Sequence, residues 1–115
     1  MDTPGSFTFE KQTLDDGVLL AIKGDIDFGS SPDLRSAILS ELEAAPARLV
    51  INLAGVTYMD SSGIATFIEA LQHQRKAGNK LILSALQPKV ISIFEIAKLD
   101  SLFTITADND AALTA

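Results

Sequence analysis

Three short apolar runs most constrain what this chain can fold into: Val18-Leu19-Leu20-Ala21-Ile22, Leu49-Val50-Ile51-Asn52-Leu53 and Leu81-Ile82-Leu83. Each is of strand length, and a nearly unbroken apolar run marks a strand covered on both faces. The segments that follow them change to the helical period. Leu34, Ile38, Leu42 and Ala45 recur at helical spacing behind Ser31-Pro32-Asp33. There Ser31 reads as an N-cap, Pro32 as the first helical residue and Asp33 as a first-turn acid, so a helix is predicted over 32–45, stopped by Pro46. Ile64, Phe67, Ile68 and Leu71 share one face of a second helix, and Gly78 sits where the residue after a helix end belongs. Pro88 opens a third helix to about Lys98, with Val90, Ile93, Phe94 and Ala97 as its buried stripe.

Strand followed by helix, repeated, is the pattern of parallel strands joined by right-handed crossovers. The N-terminal part departs from it. Phe7–Gln12 alternates apolar and polar residues, and Leu14-Asp15-Asp16-Gly17 supplies a hairpin turn into the first apolar run. Lys80–Ser84 is a further strand, Phe103–Thr106 a short last one, and Asp108 caps a final helix over 109–114. The expectation is an α/β fold: a mixed sheet of four to five strands with a leading β-hairpin and about four helices. At 115 residues this is one domain over 1–115, with residues 1–6 as a flexible tail.

Charge narrows the partners. The net charge is −6, and residues 1–60 hold 10 acidic and 4 basic side chains while the remainder holds 5 of each. An acidic surface without a basic cluster repels phosphate backbones and anionic lipid headgroups, so no nucleic acid and no membrane partner is expected, and a protein is. The absence of cysteine excludes disulfides, thiolate metal sites and thiol nucleophiles. His73, the only histidine, lies in a predicted helix without a companion ligand, so neither a metal site nor a Ser-His-acid triad is expected. No Gly-rich phosphate loop is present, and no cofactor or enzymatic activity is predicted. Met1–Ser6 has neither a basic nor an apolar leader region, which makes the cytoplasm the expected compartment.

Asp60-Ser61-Ser62-Gly63 is the segment richest in chemistry. It places a carboxylate and two hydroxyls where a loop enters a helix, beside unpaired backbone N–H groups and the positive end of the dipole. These residue types also serve as ordinary N-caps. The other reading is a phosphorylatable serine, whose phosphate would add ~1.5 to 2 negative charges next to Asp60.

The string Val50-Ile51-Asn52-Leu53, then Val56-Thr57-Tyr58-Met59-Asp60-Ser61-Ser62-Gly63-Ile64, resembles the signature of anti-sigma factor antagonists built on the STAS domain. Gly24-Asp25-Ile26-Asp27 is similar to the family's Gly-acid-apolar-Asp turn, and Lys80–Leu83 followed by Pro88 and Phe94 is similar to its last strand and helix. The resemblance runs over about residues 7–113 and implies the STAS fold. By position it implies that Ser61 is phosphorylated by a partner anti-sigma factor that is itself a serine kinase, with Ser62 the second choice. It implies further that the unphosphorylated form binds this kinase and frees the sigma factor, and that a metal-dependent serine phosphatase resets the switch. Asp27 and Asp60 match the acids flanking the serine, and the helix beginning at Ser62 matches the docking element. The implied partner surface comprises Asp25, Asp27, Phe28, Asp60, Ser61, Ser62, Gly63 and Ile64. The same fold also serves as a subunit of lipid-transport ABC complexes, stressosome-like scaffolds and partner switches with other outputs. A receiver-type phosphoaspartate domain is disfavoured, because Asp15-Asp16 lie in a hairpin turn and Asp60 stands seven residues past its apolar run.

Overall fold

The computed structural model describes residues 7–115; the expected tail at 1–6 lies outside them. The elements run β1 (Thr8–Thr13), β2 (Gly17–Lys23), α1 (Ser31–Leu42), β3 (Arg48–Gly55), α2 (Ser61–Lys76), β4 (Lys80–Ser84), α3 (Pro88–Ile96), β5 (Thr104–Thr106) and α4 (Asn109–Ala112). The five strands form one sheet in the order β1-β2-β3-β4-β5. The β1–β2 pair is the antiparallel hairpin, and every later pair is parallel. The mixed sheet with a leading hairpin and four helices is thus the expected architecture.

The unbroken apolar runs are explained by the two covered faces of the sheet. Val18, Leu20 and Ile22 of β2, Leu49, Ile51 and Leu53 of β3, and Leu81 and Leu83 of β4 meet Leu34 and Ile38 of α1, Phe67, Ala70 and Leu71 of α2, and Val90 and Phe94 of α3. The alternate positions Leu19, Val50 and Ile82 point to the other face, where they meet Ala112 of α4. Three helices therefore cover one side and a single four-residue helix covers part of the other.

The helix boundaries differ from expectation for local reasons. Ser30 is the N-cap of α1, with Ser31 and Pro32 already in the first turn. The helix ends at Leu42, three residues early, because Ala45 takes a left-handed φ of 49° that turns the chain into β3. Ala45 is consequently exposed. Helix α2 begins at Ser61, one residue before the expected start. It closes at Ala77, with Gly78 at φ 75° in the position its spacing predicts. Helix α3 stops at Ile96, and Lys98 at φ 60° reverses the chain; Ile93 is only half-buried and Ala97 is exposed, which shortens the predicted stripe to Val90 and Phe94. Strand β1 starts one residue later than predicted, β5 begins at Thr104, and α4 ends at Ala112.

Candidate functional site

Parallel strands deliver their loops to one edge of the sheet, and the loops after β2 and β3 are laced together there. Gly24, at φ 116° in a conformation that suits glycine, leads the chain out of β2, and its N–H donates to Gly55 O at 3.1 Å. The Ile26 N–H donates to Tyr58 O and the Asp60 N–H to Ile26 O, each at 3.0 Å, which makes Ile26 and Met59 an isolated parallel bridge. Both of these side chains are buried. The flanking residues face outward or lie at the rim: Asp25, Phe28, Thr57 and Tyr58 are exposed, Asp27 and Asp60 half-buried.

Each loop then enters a helix through a carboxylate. Asp27 Oδ1 accepts from the N–H groups of Gly29 (2.9 Å) and Ser30 (3.0 Å), which folds the turn before α1. The Ser30 hydroxyl donates to Asp25 O at 2.7 Å and accepts from the Asp27 N–H. Asp60 is the N-cap of α2, and its Oδ1 accepts from both the N–H (2.9 Å) and the hydroxyl of Ser62. The Ser62 hydroxyl is the largest cause holding the Asp60 carboxyl below its ordinary range; desolvation opposes it, and the N–H groups of Ser62, Phe28 and Gly63 add to the lowering.

The two serines are therefore in different states. Ser61, at the first helical position, is exposed, and among the described residues its hydroxyl makes no hydrogen bond. Ser62 is half-buried, its hydroxyl given to Asp60 and its carbonyl accepting from Thr66 Oγ1 at 2.9 Å. Gly63, expected at the partner surface, is buried beneath it: a Cβ there would stand 2.6 Å from Ile26 Cγ2 and 2.6 Å from Met59 Cγ. Ile64 is half-buried and packs on the core.

Asp25, Asp27 and Phe28 on one loop and Asp60, Ser61 and Ser62 on the other are brought together by the Ile26–Met59 bridge. Phe28 is 73% exposed, and Tyr58, which the sequence reading did not single out, is 51% exposed. Both are large side chains left in water on a backbone fixed by the lacing of the two loops. The signal for Tyr58 was its place in the loop between Thr57 and Met59, but only the burial of Met59 shows which neighbour faces out. Glu69 and Arg35 clamp α2 to α1 through two contacts of 2.8 Å. Among the described residues no group of three His, Asp or Glu is placed to hold a metal ion, and no helix is long and apolar enough to cross a membrane.

The fold is shared with known proteins. The STAS-domain profile matches residues 8–112. The anti-sigma-B factor antagonist of Bacillus subtilis is 34% identical over 92 residues, covering 80% of this chain and 84% of that one. The crystal structure of an anti-sigma factor antagonist from Mycobacterium paratuberculosis superposes with a TM-score of 0.88 at 25% identity, covering 99% of this chain and 97% of its own. SpoIIAA, an anti-sigma factor antagonist solved in its unphosphorylated form, shares the fold with a TM-score of 0.79 at 19% identity, covering 92% of this chain and 93% of its own. The chain belongs to the STAS-domain family, among relatives that are anti-sigma factor antagonists.

Proposed function

We propose that this protein is an anti-sigma factor antagonist switched by phosphorylation of Ser61. Unphosphorylated, it binds a serine-kinase anti-sigma factor in the cytoplasm, and the sigma factor is released. The kinase phosphorylates Ser61 and binding is lost; a metal-dependent serine phosphatase restores the hydroxyl. The chain is a substrate and a ligand in this cycle and carries out no catalysis of its own.

One observation carries the reading: the Ser61 hydroxyl is exposed and without a hydrogen-bond partner among the described residues, on a surface bearing Phe28, Tyr58, Asp25, Asp27 and Asp60. A phosphate there adds ~1.5 to 2 negative charges without disturbing a buried contact. It would also turn an apolar and modestly acidic contact surface into one that is costly to desolvate. The switch thus acts on docking and leaves the fold alone.

The test is to incubate the protein with its cognate anti-sigma factor and ATP and to map the label by mass spectrometry. Label is expected on Ser61 and is lost in Ser61→Ala. Ser61→Asp is expected to weaken the complex about tenfold or more by calorimetry, as the loss of ~1.4 kcal/mol requires. Full labelling of Ser61→Ala, or an unchanged Kd for Ser61→Asp, overturns the proposal.

A further inference from the structure

Two adjacent hydroxyls stand at the start of α2, and their chemistry as free side chains is the same. The helix dipole does not distinguish them, since both lie in the first turn. What differs is their engagement. The Ser62 hydroxyl donates to Asp60 Oδ1, while that of Ser61 makes no hydrogen bond among the described residues. We infer that Asp60 selects which serine is phosphorylated, by occupying the Ser62 hydroxyl and by opposing a phosphate at that position. The inference rests on the proposed phosphorylation of this site and names the residue that governs its regiochemistry.

The argument follows from the transfer itself. Phosphorylation forms a bond between a serine Oγ and the γ-phosphorus of ATP and breaks the bond to the β–γ bridging oxygen. ADP leaves, and the hydroxyl proton passes to a base of the kinase. At Ser62 the hydroxyl hydrogen would first have to leave Asp60, and the Ser62 N–H holds the same carboxylate oxygen in place at 2.9 Å. The incoming phosphoryl oxygens would then stand beside an ionised carboxylate at hydrogen-bond range, where like charges repel strongly. Ser62 is also half-buried and tied through its carbonyl to Thr66. Ser61 is also a neighbour of Asp60, but it is exposed and its hydroxyl is not given to that carboxylate, so a phosphate there can turn into water. Asp60 is a positioning residue in this scheme, acting on the reaction through Ser62.

Two substitutions separate the contributions. Asp60→Asn keeps an N-cap and a hydrogen-bond acceptor but removes the charge; Asp60→Ala removes both. The purified protein and its kinase are incubated with ATP, and the ratio of Ser62 to Ser61 phosphopeptide is measured in each variant. The ratio is independent of any change in the total rate or in kinase affinity. It is expected to rise about tenfold or more in Asp60→Ala, the factor that losing one hydrogen bond to a charged group corresponds to. A smaller rise is expected in Asp60→Asn. In a Ser61→Ala background, Ser62 stays unlabelled with Asp60 present and becomes labelled when Asp60→Ala is added. Ser61-only labelling in wild type that persists unchanged in both Asp60 variants overturns this inference and leaves the proposed function standing. A wild-type protein labelled on neither serine overturns both.

Discussion

At the start of α2 a single oxygen, Asp60 Oδ1, takes the N–H and the hydroxyl of Ser62. The first contact is an ordinary N-cap and satisfies a donor that the helix leaves unpaired. Because the carboxylate is the better acceptor, these bonds hold its pKa below the unfolded value of about 3.9. The linkage then has a definite sign: a depressed carboxyl pKa means stabilisation that is fully present above the unfolded value and is lost as the pH falls through the folded one. Asp60→Ala should cost about 0.5–2 kcal/mol at neutral pH, measured by urea denaturation. The gap between wild type and variant should narrow as the pH is lowered below about 4. A gap that stays constant down the acid limb would mean that the cap works without its charge.

At the scale of elements, the site depends on how closely α2 can lie against the laced loops. Gly63 sets that distance, since any side chain there would meet Ile26 Cγ2 and Met59 Cγ at 2.6 Å and Met59 Sδ at 2.8 Å. Ile26 is fully buried and Met59 nearly so, which leaves little room to yield. Gly63→Ala should therefore destabilise the protein by about 1–3 kcal/mol, as overpacking does. Amide shifts should centre on Ile26 and Met59 in NMR spectra. Shifts confined to α2, with stability unchanged, would refute the packing role. Gly63 also shows what could be read from sequence. The run Asp60-Ser61-Ser62-Gly63 announced a helix start, and strand β4 at Lys80–Ser84 and the opening of α3 at Pro88 fell where the pattern put them. Such features are local, written in caps, prolines and apolar runs. The Ile26–Met59 bridge joins residues far apart in the chain, so neither the burial of Gly63 nor the exposure of Tyr58 could be read from neighbours alone. Helix α1 ends at Leu42 although the helical spacing continues to Ala45: Ala45 reads as a good helix former, while its left-handed φ is set by the return to β3.

Across the whole molecule, the two sides of the sheet carry unequal loads. The side bearing α1, α2 and α3 holds the larger core and presents the site at its edge. The opposite side is closed by α4 through few contacts, among them a polar node. Asn109 Oδ1 accepts from Asn52 Nδ2 and from the Ser84 hydroxyl, each at 2.8 Å, and Ser84 is fully buried. Arg48, also buried, donates to Ala112 O at 2.7 Å and to Asp16 Oδ2 at 3.0 Å, so α4 is tied to the start of β3 as well. Removing the shared acceptor leaves two donors unsatisfied, one of them without access to water. Asn109→Ala should thus lower stability by about 1–3 kcal/mol for the buried donor alone, a large part of what a domain of this size has in reserve. Because the proposed docking surface is built by α2 and the laced loops at the edge of the other side, the folded variant should bind the proposed anti-sigma factor partner with unchanged affinity. Urea denaturation and calorimetry on the same preparation test both halves. A loss of affinity under conditions where circular dichroism shows a folded variant would mean that the two sides of the sheet are coupled, and that α4 contributes to the switch as well as to the fold.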